Sequence, residues 1–140
     1  MIIADTSGLL AAFGAGEAEN RPAQAAYEED PGPVILSPFI LAELDYMLLS
    51  RAGLKAEQQF LREVAAGTFE LAAFDRADVG QAAAVVERYA DLRIGIADAS
   101  IVVLADRYRT TRLLTLDERH FRVVAPLHAD AFTILPADRS

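Results

Sequence analysis

The chain has 140 residues, 53% of them hydrophobic, with no cysteine and a formal net charge of −8. That length allows one domain with a sizeable core, and eight glycines with six prolines are too few for a disordered chain. Without cysteine there are no disulfides, thiolate zinc sites or cysteine nucleophile, and the acidic balance argues against passive coating of nucleic acid.

In chain order, residues 2–5 (IIAD) read as a short, fully buried strand. Residues 7–13 suit a short helix that GAGE at 14–17 breaks, and 18–29 suit a polar, Ala-rich helix ended by DPGP. VILS at 34–37 is a second buried strand. The stretch 38–53 (PFILAELDYMLLSRAG) is a helix with proline in its first turn and glycine after its end. A helix over 55–66 precedes a third short strand, TFELAAF, at 68–74. Asp75, with Asp78 three residues on, forms the capping box of a helix over 76–90. A helix over 97–109, the strand RLLTL at 112–116 and a last strand near 132–135 complete the order. Short apolar strands alternating with helices predict an α/β protein whose parallel sheet is covered on both faces. No apolar stretch approaches a membrane span, and residues 1–10 lack the basic start of a signal peptide. A cytoplasmic location is therefore expected.

Four carboxylates stand apart from ordinary surface charge. Open parallel sheets carry their functional crevice beyond the carboxyl ends of the strands. Asp5 and Asp117 sit at such ends, and Asp98 lies where a helix starts facing the same crevice. Glu43 lies in a helix that is apolar almost all round, where a simply solvated carboxylate is not expected. Each has an ordinary account: Asp5 and Asp98 as helix N-caps, Asp117 as a turn residue, Glu43 as partner of a neighbouring arginine. Convergence weighs against four separate accounts, because two like charges about 4 Å apart repel by roughly 4 kcal/mol at an effective dielectric near 20. Such a cluster needs protons or a cation. With only His120 and His128 as nitrogen donors, a mostly oxygen site favours Mg²⁺ or Mn²⁺. Thr6 and Ser7 would cap the following helix and hydrogen-bond the ligands or their waters.

Other site types fit poorly. GAGEAE at 14–19 lacks the third glycine of a dinucleotide fingerprint, and no phosphate-binding loop occurs. A phosphoryl-aspartate site needs a second acid beside Asp5 and a late lysine; here Thr6 and Ser7 follow, and the sole lysine is Lys55. Arg107, Arg109, Arg112, Arg119 and Arg122 place five of thirteen basic residues in one stretch, which charge alone explains as a solvated helix end and loop.

The pieces IIADTSGLLAAF at 2–13, SPFILAEL at 37–44, DLRIGIADASIVVLADRY at 91–108 and LLTLDERHF at 113–121 together resemble PIN domains, most of all the VapC ribonuclease toxins. The resemblance implies one PIN domain over residues 1–140, doubly wound, with a central parallel sheet of about five strands and helices on both faces. It implies Mg²⁺- or Mn²⁺-dependent cleavage of RNA, with Asp5, Glu43, Asp98 and Asp117 as acidic ligands. Thr115 matches a frequent hydroxyl position; Phe121 reads as core and His120 as a surface or capping residue. No histidine is well placed in sequence as a general base. The arginines from 107 to 122 become candidates to hold the RNA backbone. An antitoxin protein and a homodimer are implied as partners, for which the apolar helix 38–50 has surplus surface unless the core takes it all. The alternative is a PIN-like scaffold that binds RNA or a protein without cutting.

Overall fold

The computed structural model describes residues 1–14 and 20–139. Most of the expected GAGE break, and the first residues of the expected helix at 18–29, lie outside the described residues. Among the described residues, five strands form one parallel sheet: β1 (Ile2–Ala4), β2 (Val34–Leu36), β3 (Glu70–Leu71), β4 (Arg112–Leu114) and β5 (Thr133–Leu135). Their spatial order is β3-β2-β1-β4-β5. The helices are α1 (Thr6–Phe13), α2 (Arg21–Glu29), α3 (Pro38–Arg51), α4 (Leu54–Ala65), α5 (Arg76–Arg88), α6 (Ile96–Tyr108) and the single turn α7 (Glu118–Phe121).

Strands β1 and β2 are buried along their whole length, as expected of unbroken apolar runs in a parallel sheet covered on both faces. The expected strand at 68–74 is reduced to two exposed residues, because β3 is an edge with one neighbour and little to bury it. The anticipated capping box is present: Asp75 accepts from the Asp78 backbone and Asp78 from that of Asp75. The helix it starts ends at Arg88, and a 3₁₀ turn over Ala90–Leu92 follows.

Helix α6 is the central helix, buried at every residue from Ala99 to Ala105. Helix α3, although more apolar in sequence than its neighbours, lies in the outer layer and buries only Ile40 and Leu44. Its outward face leaves Tyr46 72% and Leu49 46% exposed, so the surplus apolar surface expected of this helix is real. An apolar hollow of about 510 Å³ lies between α1, α3 and α4, lined by Leu9, Phe13, Leu44, Leu48, Phe60 and Phe69 among others. Phe121 is 2% exposed and stacks edge-on against Phe132, in keeping with its reading as core. No helix among the described residues is long and apolar enough to cross a membrane.

The close joint of the fold is Gly8. A Cβ at this position would stand 2.1 Å from the Leu114 carbonyl oxygen, so only glycine lets α1 press directly on the end of β4. That contact brings residues 5–7 beside residues 114–117, where the site forms.

Candidate active site

The chain runs from β1 outward through β2 and β3, then returns to place β4 on the other side of β1. The order reverses between β1 and β4, and crevices for ligands open at such switch points. Asp5 directly follows β1, its backbone N–H donating to Leu114 at 2.9 Å. Asp117 stands three residues beyond β4 as the cap of α7, Asp98 lies in the first turn of α6, and Glu43 projects from the middle of α3. All four line one cleft of about 550 Å³, with Thr6, Ser7, Met47, Arg51 and His120 in its walls.

Hydroxyls hold the acids in place. Thr115 donates to Asp5 Oδ2 at 2.6 Å, and Thr6 to Glu43 Oε1 at 2.6 Å. Ser7 lies 3.2 Å from the Thr115 hydroxyl and accepts from the Leu116 backbone at 2.9 Å, and Thr115 accepts from the Asp117 backbone at 3.0 Å. A buried pair that the sequence reading passed over sets the helices behind the cleft. The Ser37 and Ser100 hydroxyls meet at 2.7 Å with both residues fully buried. Ser37 caps α3 through the Phe39 N–H at 3.2 Å, and Ser100 donates to the Ala97 carbonyl at 2.6 Å. This joint ties the start of α3, which carries Glu43, to the first turn of α6, which carries Asp98. Its only sequence signal was a serine before a proline and another inside an apolar helix.

The electrostatics match the geometry. Burial raises the Asp5 carboxyl to about 6 from its ordinary 3.8; the Thr115 hydrogen bond works against this, and the charges of Asp98 and Glu43 add to it. Burial likewise raises Asp98; His120 opposes the shift, and Asp117 and Glu43 reinforce it. Clustered acids without a cation therefore resist ionisation here.

Two expectations need correction, those for Glu43 and His120, and the ordinary accounts of the other three acids separate. Glu43 is exposed to solvent rather than buried, because its helix lies in the outer layer and its side chain faces the open cleft. Asp5 occupies the N-cap position of α1 but makes no capping bond with its side chain, which is turned to Thr115 and Ser7. Asp98 is not a cap either, since Gly95 holds that position. Asp117 does cap a helix, accepting from the His120 backbone at 3.2 Å through Oδ1, while its Oδ2 faces the cleft. His120, read as a surface or capping residue, instead has its ring in the site: Nδ1 is 3.3 Å from Asp98 Oδ2 and 3.2 Å from Asp117 Oδ2. The extra helical turn after Asp117 swings the imidazole inward, and nothing in local sequence announces that turn.

Four of the five clustered arginines are engaged with carboxylates. Arg107 pairs with Asp78 at 2.6 Å, Arg109 with Asp106 at 3.3 Å, and Arg112 with Asp30 at 3.2 Å. Arg122 holds both Asp138 and Glu118. Arg119 is exposed and has no ion pair among the described residues. The arginine in the wall of the cleft is one the sequence reading did not single out, Arg51, which also has no acidic partner among the described residues. Glu43, Met47 and Arg51 follow one another at four-residue spacing along one face of α3, and all three line the cleft.

The acidic cleft at the switch point of a doubly wound sheet agrees with the family comparison. The PIN domain model matches residues 2–126, and the chain belongs to the PIN domain family. It is 47% identical over 135 residues to Ribonuclease VapC26 of Mycobacterium tuberculosis, covering 96% of this chain and 100% of that protein. Two solved structures share its fold at 22% identity. One is Mycobacterium tuberculosis VapC20, a Sarcin-Ricin loop cleaving toxin, with a TM-score of 0.75 over 85% of this chain and 92% of that one. The other is a toxin-antitoxin complex from Klebsiella pneumoniae, with a TM-score of 0.68 over 89% and 92%.

Proposed function

We propose that the chain is a Mg²⁺- or Mn²⁺-dependent endoribonuclease that hydrolyses RNA phosphodiester bonds, and the toxin of a toxin–antitoxin pair. The observation that carries this is the convergence of Asp5, Glu43, Asp98 and Asp117 on one cleft. These donors fit a hard divalent ion: they are carboxylate oxygens, crowded enough that burial and mutual repulsion raise Asp5 and Asp98. A bound ion supplies activation of a water and offsets charge on the scissile phosphate. The chain's own residues supply placement. Thr115 and Ser7 fix Asp5, Thr6 fixes Glu43, and the Ser37–Ser100 joint keeps α3 and α6 in register.

For the RNA backbone, the ion pairs of Arg107, Arg109, Arg112 and Arg122 favour a structural role for those side chains. Arg51 and Arg119 are the better candidates for phosphate contacts. Arg51 lies eight residues beyond Glu43 on α3, about 12 Å along the helix axis, so it would hold a neighbouring phosphate rather than the one being cut.

The relative named a ribonuclease supports RNA as substrate, and the fold shared with a toxin–antitoxin complex supports an antitoxin as partner. A homodimer and a cytoplasmic site of action belong to the same proposal. A solution mass near twice 15.1 kDa supports the dimer, and a single-chain mass removes it. A scaffold that binds without cutting has no need of all four carboxylates in one cleft.

The test is a cleavage panel of structured and unstructured RNAs with Mn²⁺, with Mg²⁺ and with chelator, beside an Asp98→Asn control. Cleavage that needs metal and disappears in the variant is expected. Cleavage undiminished by excess chelator, or equal in the variant, overturns the mechanism.

A further inference from the structure

His120 is not needed by any step above, yet its ring stands among the acids. Two carboxylate oxygens, Asp98 Oδ2 and Asp117 Oδ2, lie at nearly equal distance from its Nδ1, at 3.3 and 3.2 Å. A single N–H on that nitrogen points well at one acceptor, so a hydrogen bond alone leaves the other oxygen poorly served. The three ligand atoms that Asp98, Asp117 and His120 offer all lie within 4.8 Å of one another. Around an octahedral ion with bonds of about 2.1 Å, adjacent ligand atoms are about 3 Å apart and opposite ones about 4.2 Å. The two distances from His120 Nδ1, 3.3 and 3.2 Å, match adjacent positions around such an ion. The local fold also holds it there: Asp117 uses Oδ1 to cap α7 through the His120 N–H, which leaves Oδ2 for the cleft and turns the His120 ring toward the same point.

We propose that His120 Nδ1 is a direct metal ligand beside Asp98 and Asp117, making this end of the cleft a mixed oxygen–nitrogen site that prefers Mn²⁺ to Mg²⁺. The proposal rests on the metal-dependent reading above and adds a ligand to it. Its chemical basis is donor type. Mg²⁺ is a hard ion that takes oxygen ligands, whereas imidazole nitrogen raises affinity for first-row transition-metal ions. The competing account makes the imidazole a counter-charge to the two acids, displaced when an ion enters.

Pulsed electron paramagnetic resonance on the full chain loaded with Mn²⁺ separates the two. The expected result is a nitrogen modulation on the Mn²⁺ signal that survives His128→Gln and is lost in His120→Ala and His120→Gln. Competition titration should show the Mn²⁺ preference over Mg²⁺ lost in the His120 variants. Bound Mn²⁺ with no nitrogen modulation in the unaltered chain overturns the proposal and leaves the carboxylate site standing. So does an unchanged Mn²⁺/Mg²⁺ preference in the variants. Failure of the unaltered chain to bind Mn²⁺ at all removes both this proposal and the metal-dependent reading beneath it. The spectrum of the unaltered chain decides the matter even if a variant does not fold.

Discussion

Asp5 is 6% exposed, follows the central strand and has no basic partner among the described residues, and its carboxyl is raised to about 6. The shift makes folding of the metal-free chain pH-dependent. Between about pH 4 and pH 6 the folded state binds a proton at Asp5 that the unfolded state has released, so stability falls as pH rises through that window. Above it the loss is complete, amounting to about 3 kcal/mol for a shift of this size. Asp5→Asn removes the charge while leaving an oxygen to accept from Thr115. With chelator present, its stability relative to the unaltered chain should rise from near parity at pH 4 to its full advantage at pH 7. Denaturant melts at the two pH values measure this, and parallel curves for the two proteins would show that the site does not crowd Asp5. The same logic applies to Asp98, whose carboxyl is also raised, first by burial.

Two joints between elements place the site. At the α1–β4 joint, Gly8 gives the Leu114 carbonyl room that no side chain could share. Gly8→Ala should cost about 3 kcal/mol, the upper range for overpacking, because the obstacle is backbone and cannot rotate away. Cleavage should fall further than the unfolded fraction accounts for, since α1 carries Thr6 and Ser7 while β4 leads into Thr115. Chemical denaturation alongside activity per folded molecule tests this; an unchanged midpoint would remove the close approach. At the α3–α6 joint, the Ser37–Ser100 hydroxyl pair does for Glu43 and Asp98 what Gly8 does for Asp5 and Asp117. Both joints lie behind the cleft and neither touches its contents.

Over the whole molecule, a net charge of −8 and a cleft walled by four acids must still admit a polyanion. On the proposed reading, a divalent ion would offset part of that local negative charge. Mn²⁺ should therefore stabilise the chain as a whole, by about 2.7 kcal/mol at a hundredfold excess over its dissociation constant. Asp98→Asn should be more stable than the unaltered chain in chelator and should gain much less from Mn²⁺. Thermal melts of both proteins in both conditions check this, and identical responses would mean that no shared site exists. The positive charge available to RNA is set by which arginines the fold leaves unpaired. Arg51→Ala should weaken binding evenly across RNA sequences and flatten the salt dependence by about 0.7 per lost contact with single-stranded RNA. Arg122→Ala, which breaks the pairing with Asp138 and Glu118, should lower the melting temperature and leave the salt slope alone. The reverse pattern, measured by binding titrations over a salt series, would return the backbone role to the 107–122 stretch.

Period and punctuation in the sequence determined the order of strands and helices, the parallel α/β class and the capping box at Asp75, because these depend on residues close together in the chain. Strand ends also determined that Asp5 and Asp117 face a crevice, since a parallel sheet has one carboxyl edge. The four motif segments carried the family. What only the tertiary structure decided depends on which faces meet. Apolar composition alone could not say that α3 lies outside and α6 inside, so Glu43 was expected to be buried and is exposed. One unanticipated helical turn moved the His120 ring from the surface into the cleft. The arginines look alike in sequence, and their roles separate only when Asp30, Asp78, Asp106, Glu118 and Asp138 arrive beside four of them. Gly8 and the Ser37–Ser100 pair are common residues in ordinary local contexts. Their importance comes from partners 106 and 63 residues away, which no local pattern encodes.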